Sequence, residues 1–268
     1  MHDFGIENLS CFGLDPAALI RLAAELGCSH VSLNLSGAAN PLDGAKRRAL
    51  REDAGLRCEA IAASREAGVQ VSLLEGFTIE PGTVARDLAG DLDIAAELGA
   101  RAICVIGMDR DRPRAHAEVA ALCDMAASRS IAVTTEFGAG TARNLERVLE
   151  MLAGVGHANF GLLIDCMHYF RSGATLADLD RIGIESVRHV QLCDVPMPAA
   201  IGDYMTEALF ERRAPGDGDL PLAAFLEQIP LVVPVGLEIP IRSLAEAGIA
   251  HRDRMRRCLD RARSLGRW

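Results

Sequence analysis

Much that would classify this sequence at a glance is missing from it. No CxxC pair occurs among its eight cysteines, Cys11, Cys28, Cys58, Cys104, Cys123, Cys166, Cys193 and Cys258, so neither a thiolate zinc site nor a dithiol redox motif is expected. Several of them stand inside apolar segments, where Cys behaves as a small hydrophobe. No apolar run approaches the ~18 residues of a membrane span, and no secretory signal stands at the N-terminus. The expectation is a cytoplasmic protein with reduced thiols and no membrane partner. The first turn, Asn8 to Gly13, lacks the GxGxxG of a dinucleotide fold, which argues against that fold. A basic surplus is missing too. The 28 Lys and Arg against 37 Asp and Glu give a net charge of −9, which argues against a nucleic-acid partner. No linker rich in Pro, Gly or Ser divides the chain, so one domain over residues 1–268 is expected.

What is present is alternation. Short β-like runs at 4–10, 30–35, 69–74, 102–106, 131–135, 160–164, 187–192 and 233–239 alternate with helical stretches at 15–26, 43–67, 83–98, 113–128, 144–152, after Thr175, 221–228 and 246–264. Asp15 before Pro16 marks a helix start, as N-cap and first helical residue. Gly27, Gly68 and Gly99 stand where helices close. Strict βα alternation predicts a parallel sheet. Eight such units in 268 residues predict an α/β protein of one domain, a closed (β/α)8 TIM barrel. The segment 194–218 reads as a long irregular loop.

In such a barrel the chemistry collects at the C-terminal ends of the strands. Asn34, Glu75, Glu136, Asp165, Gln191 with Asp194, and Glu238 stand there, and His168 follows Asp165 by three residues. The stretch Gly161 to Phe170 is the centre of this reading. A wholly apolar run delivers Asp165 to a buried position, where an unpaired charge is costly. A helix cap, or a salt bridge to an Arg, would account for any one of these acids alone. Together, Glu136, Asp165 and Glu238 in one mouth repel one another unless protonated or shared by a cation. With Gln191 acting through its amide carbonyl they make an all-oxygen ligand set, which suits Mg²⁺ or Mn²⁺. Glu75 faces the same mouth as a candidate substrate contact, although a loop cap explains it equally well. His189 shares the side of Gln191 and reads as a packed or supporting group. An Arg in the 212–218 loop can reach over the mouth to a carboxylate, phosphate or hydroxyl.

The segments Thr135-Glu136-Phe137, Leu163-Ile164-Asp165-Cys166-Met167-His168, His189-Val190-Gln191-Leu192-Cys193-Asp194, Arg213-Ala214-Pro215-Gly216-Asp217-Gly218 and Gly236-Leu237-Glu238 resemble the xylose isomerase-like TIM barrel superfamily. That group includes ketose 3-epimerases, sugar-phosphate isomerase/epimerase-like proteins, inosose dehydratases and 3-dehydroshikimate dehydratases. The resemblance implies Glu136, Asp165 and Glu238 as metal ligands, His168 as a substrate contact and Arg213 as a substrate-binding arginine. Many members carry His where this chain has Gln191; a Gln there resembles some members, bacterial 3-dehydroshikimate dehydratases among them. The poverty in strand-end His is unlike the endonuclease IV branch. The leading expectation is a metal-dependent isomerase or epimerase of a keto sugar or related polyol, with Glu136, Glu238 and His168 in catalytic roles. A dehydratase built from the same parts is the alternative, and a non-catalytic sugar-binding barrel a third. The implied partner is a small polyol or keto acid, and a homo-oligomer remains open.

Overall fold

The computed structural model describes residues 3–37 and 42–266. Its eight strands are β1 Phe4–Ile6, β2 His30–Asn34, β3 Gln70–Ile79, β4 Ala102–Gly107, β5 Ala132–Glu136, β6 Phe160–Asp165, β7 Val187–Leu192 and β8 Val235–Leu237. They follow one another around a closed parallel barrel in which β1 pairs with both β2 and β8. The helices described are α1 Pro16–Glu25, α2 Ala54–Ala67, α3 Ala89–Glu97, α4 Arg112–Ala127, α5 Leu145–Val155, α6 Cys166–Arg171, α7 Asp178–Ile182, α8 Tyr204–Phe210, α9 Leu222–Gln228, α10 Arg242–Glu246 and α11 His251–Ser264. The predicted TIM barrel is the observed fold.

Local chemistry sets the helix starts. Asp15, Asp53, Asp111 and Asn144 each accept a hydrogen bond from the backbone amide three residues on, so α1, α2, α4 and α5 begin where a side chain satisfies a free N–H. Most strand residues are buried, and every residue of β6 is, as parallel strands under helices require. The barrel interior also carries polar groups. Glu7, His30, Ser32, Ser72 and His189 are all buried. Room for Glu7 comes from Gly236, where a Cβ would lie 1.5 Å from Glu7 Oε1.

Several boundaries differ from those expected: β1 ends at Ile6 rather than residue 10, β8 covers only Val235–Leu237, and the last helix begins at His251 rather than residue 246. The helix read from residue 43 begins at Ala54. The stretch before it is irregular and ends in a turn at residues 50–52, with the Arg51 amide donating to Leu35 O (3.1 Å) and Leu50 buried. β3 does not end at Leu74 but runs to Ile79, through a register shift between Leu74 and Phe77 that contains Glu75 and Gly76. Within the irregular segment 194–218 lies α8, capped by Asp203, which accepts from the Thr206 amide at 2.8 Å. Its Glu207 is buried and pairs with Arg171 of α6 at 2.8 Å, which fixes α8 over the barrel mouth. The eight cysteines are free, and only Cys58 is exposed. Among the described residues no helix is long and apolar enough to cross a membrane.

Candidate active site at the barrel mouth

The C-terminal ends of β5 and β6 bring Glu136 and Asp165 together, and α6 adds His168. One ligand atom from each of the three lies within 4.8 Å of the other two. His168 Nε2 stands 3.4 Å from Glu136 Oε1. Asp165 combines the cap that the sequence allowed with a place beside Glu136 and His168. Its Oδ1 accepts the His168 amide at 2.9 Å and caps α6, while its Oδ2 pairs with Arg212. The other nitrogen of His168, Nδ1, is hydrogen-bonded to the Tyr204 hydroxyl. The two rings stack with centroids 5.6 Å apart.

Arg212 is the group that sequence reasoning passed over. Its side chain is buried, its Nε donates to Ala208 O (2.7 Å), and its Nη1 lies between Asp165 and Glu238 Oε2, the latter at 2.9 Å. Arg213, the arginine expected at the mouth, is exposed and donates to Asp217 O at 3.1 Å. Asp194 organises this loop by accepting the amides of Val195, Gly216 and Leu220 at 2.9, 2.8 and 3.1 Å.

On the far side of the mouth, Gln191 faces three carboxylates. Its Nε2 donates to Glu238 Oε1 (3.0 Å), Glu7 Oε2 (3.2 Å) and Glu75 Oε1 (3.3 Å). Its Oε1, the atom through which it would bind a metal, is buried without a hydrogen-bond partner among the described residues. Behind it, His189 Nε2 meets Glu7 Oε1 at 2.9 Å, which gives His189 the supporting position expected of it. Glu7 is a second group that the sequence did not single out.

Electrostatics divide these acids. Burial pushes Glu136 up to about 8, and the nearby charges of Asp165 and Glu75 push in the same direction. Burial likewise lifts Glu75 to about 8, with the Glu7 charge adding to it. Glu238 is raised well above the carboxylate range by burial, although Arg212 opposes the shift. Burial also works to raise Asp165 and Glu7, but Arg212 and His168 outweigh it at Asp165, and His189, Ser32 and Gln191 outweigh it at Glu7, so both are lowered. Burial keeps His168 below the usual histidine value, which favours a neutral ring able to ligate.

The donor set fits a divalent ion. Ligand bonds to such ions run about 2.0–2.2 Å, so donors sharing one ion lie up to about 4.4 Å apart. Glu136, Asp165 and His168 stand close to that spacing. Glu238, expected in the same set, is instead engaged with Arg212. The trio mixes oxygen with imidazole nitrogen, whereas the set expected from the sequence is all oxygen and includes Gln191 and Glu238.

The model of the xylose isomerase-like TIM barrel family matches residues 20–251. The chain belongs to that family. Among solved structures, the xylose isomerase-like barrel is similar to the IolI protein, whose structure holds a zinc atom, at 14% identity over 98% of this chain and 97% of the other, with a TM-score of 0.74. It is similar to the probable 3-DHS dehydratase AsbF of Bacillus anthracis at 14% identity over 97% and 99%, with a TM-score of 0.72. A D-allulose 3-epimerase from Methylomonas sp. matches at 14% identity over 99% and 98%, with a TM-score of 0.71. Likeness at this identity is a likeness of fold. Among curated proteins, no sequence matches this chain.

Proposed function

We propose that this barrel is a divalent-metal-dependent isomerase or epimerase of a keto sugar or related polyol, working through an enediolate. The observation that carries this reading is the convergence of Glu136, Asp165 and His168 with too little cationic charge to balance them, which leaves Glu136 raised to about 8. Glu136, Asp165 and His168 would hold the ion, with Gln191 Oε1 and Glu238 facing the same mouth. The imidazole extends the choice of metal from Mn²⁺ and Mg²⁺ to Zn²⁺. When bound, the ion would act as a Lewis acid on the substrate carbonyl and acidify the neighbouring C–H.

The remaining work falls to side chains of this chain. A carboxylate whose pKa lies near neutrality is suited to take a proton from carbon and return it. In this reading Glu136 and Glu238 carry out that exchange, and burial raises both. Arg212 holds Asp165 ionised between them, and the Tyr204 hydroxyl fixes the orientation of the His168 ring. Glu75 lies close enough to Gln191 to meet a substrate hydroxyl in the same mouth.

Substitution Glu136→Gln tests this. Solvent deuterium incorporation into a panel of ketoses, with Mn²⁺ supplied, should fall by roughly 10²–10⁴-fold. Undiminished exchange would remove Glu136 as the base. In the same assay with dehydroshikimate, a product with aromatic absorbance would assign the barrel to the dehydratases instead.

A further inference from the structure

Among the segments that follow β4 and β5, outside the site described so far, lies a cleft of about 590 Å³ lined by Met108, Arg110, Arg112, Gly140, Thr141, Arg143 and Arg147. Four guanidinium groups in one cleft are unexpected in a protein of net charge −9. A single carboxylate, Glu150, answers two of them, meeting Arg112 Nε and Arg147 Nη1 at 2.6 Å each. The acids nearest in sequence are engaged elsewhere: Asp109 pairs with Arg114, and Asp111 caps α4 through the Arg114 amide. Arg110 and Arg143 are exposed and form no ion pair or hydrogen bond with any described residue.

The fold adds to this charge. Arg112 and Arg147 belong to the first turns of α4 and α5, helices of 16 and 11 residues, so both positive helix ends lie at the cleft. Planar guanidinium forks match the oxygens of a phosphate group. The loop that lines the cleft is also the loop that leaves Glu136. At Gly138 it rests on His168 so closely that a Cβ would lie 2.6 Å from His168 Cβ. Two residues further, about 7 Å of chain at most, Gly140 and Thr141 form the cleft wall.

We infer that this cleft is a phosphate subsite, and that the substrate of the barrel is a phosphate monoester whose phosphate docks among Arg110, Arg112, Arg143 and Arg147 while its carbonyl end reaches Glu136. The inference rests on the functional reading above for the carbonyl end alone; phosphate binding stands without it. Arg112 and Arg147, held by Glu150, form the fixed wall, and Arg110 and Arg143 close on the bound anion.

Calorimetric titration of the whole protein tests this, with inorganic phosphate and with a ketopentose 5-phosphate as separate probes. The R110A/R143A double variant should bind both probes at least about tenfold more weakly, since hydrogen bonds to charged groups are worth a decade or more each. A control variant, R65A/R86A, loses the same charge from exposed positions elsewhere and should bind as wild type does. Arg110 and Arg143 are exposed and unpaired, so their loss should leave the unfolding midpoint unchanged. Equal binding by wild type and R110A/R143A would overturn the inference, as would an equal loss in both double variants. So would tighter binding of the unphosphorylated ketopentose than of its phosphate. Glu136→Gln should retain phosphate binding; loss of exchange chemistry and loss of the anion subsite are therefore read separately.

Discussion

Glu7 and Glu136 are both glutamates at barrel strand ends, yet the fold treats them in opposite ways. Glu7, on the β1 side, is wholly buried and receives His189 Nε2 at 2.9 Å and Gln191 Nε2 at 3.2 Å. Against the push of burial these contacts lower its pKa. Glu136, on the β5 side, keeps 17% of its side chain exposed and, among the described residues, is paired only with His168 at 3.4 Å, with Asp165 and Glu75 as like-charged neighbours. It rises to about 8. One glutamate has its charge answered inside the fold; the other leaves a charge to be answered from outside. Local consistency breaks where function is expected to sit, and here the break falls on the β5–β6 side of the mouth.

The contrast breaks most severely at Arg212, which lies between the two sides. Arg212→Met removes the cation from a buried group that holds Asp165 and Glu238. Breaking a buried pair from one side costs about 3–5 kcal/mol. Urea unfolding of the metal-free protein should show a loss of that size, and Mn²⁺ should recover more stability in the variant than in wild type. A variant as stable as wild type without metal would mean that Arg212 does not carry the charge balance.

A smaller effect separates the two glutamates by pH. A carboxylate whose folded pKa lies below its unfolded value stabilises the protein above that unfolded value, and the contribution is lost as pH falls through the folded pKa. That is Glu7. A carboxylate raised in the folded state contributes below its unfolded value, near 4.5, and the contribution is lost as pH rises through the folded pKa. That is Glu136, and Glu75 shares its direction and its value of about 8. Unfolding midpoints in chelator should therefore carry a component that declines as pH rises from 4.5 to 8, smaller in Glu136→Gln, where Glu75 and Glu238 still supply it. Glu7→Gln should cost about 1–3 kcal/mol at neutral pH by weakening a buried hydrogen-bonded group, and should leave the alkaline decline in place. Matching pH profiles for the two variants would erase the contrast.

The sequence made one half of this arrangement readable. Buried apolar runs that end in Glu136, Asp165 and Glu238 announce both the barrel and its acids, because few other folds need an acid at that point. The half that balances charge was hidden for physical reasons. Arg212 and Arg213 are adjacent and chemically identical, and alternation sends consecutive extended side chains to opposite sides. Only the pairing of Asp194 with Arg213 in an antiparallel bridge decides that Arg212 turns inward. Glu7 follows a strand of three residues, too short for periodicity to orient it. The one clue is Gly236 on the neighbouring strand, which makes room for its carboxyl. The four-arginine cleft joins two βα loops far apart in sequence, and neither loop alone carries a motif.

Tyr204 belongs to the same hidden half, since its helix lies in a stretch without apolar periodicity. Its hydroxyl occupies His168 Nδ1, so the proton shared along that bond decides the tautomer. If Nδ1 carries the proton and the tyrosine oxygen accepts it, Nε2 is left as a lone pair facing Glu136 and any ion between them, the arrangement by which outer partners tune ligating histidines. Tyr204→Phe keeps the stacked ring and removes only the hydroxyl. Stability should fall by about 1 kcal/mol or less, the smallest change of the three, while Mn²⁺ or Zn²⁺ affinity should weaken about 10–100-fold. Unchanged metal affinity would place Tyr204 with the packing of the mouth and leave the β5–β6 side without an outer support of its own.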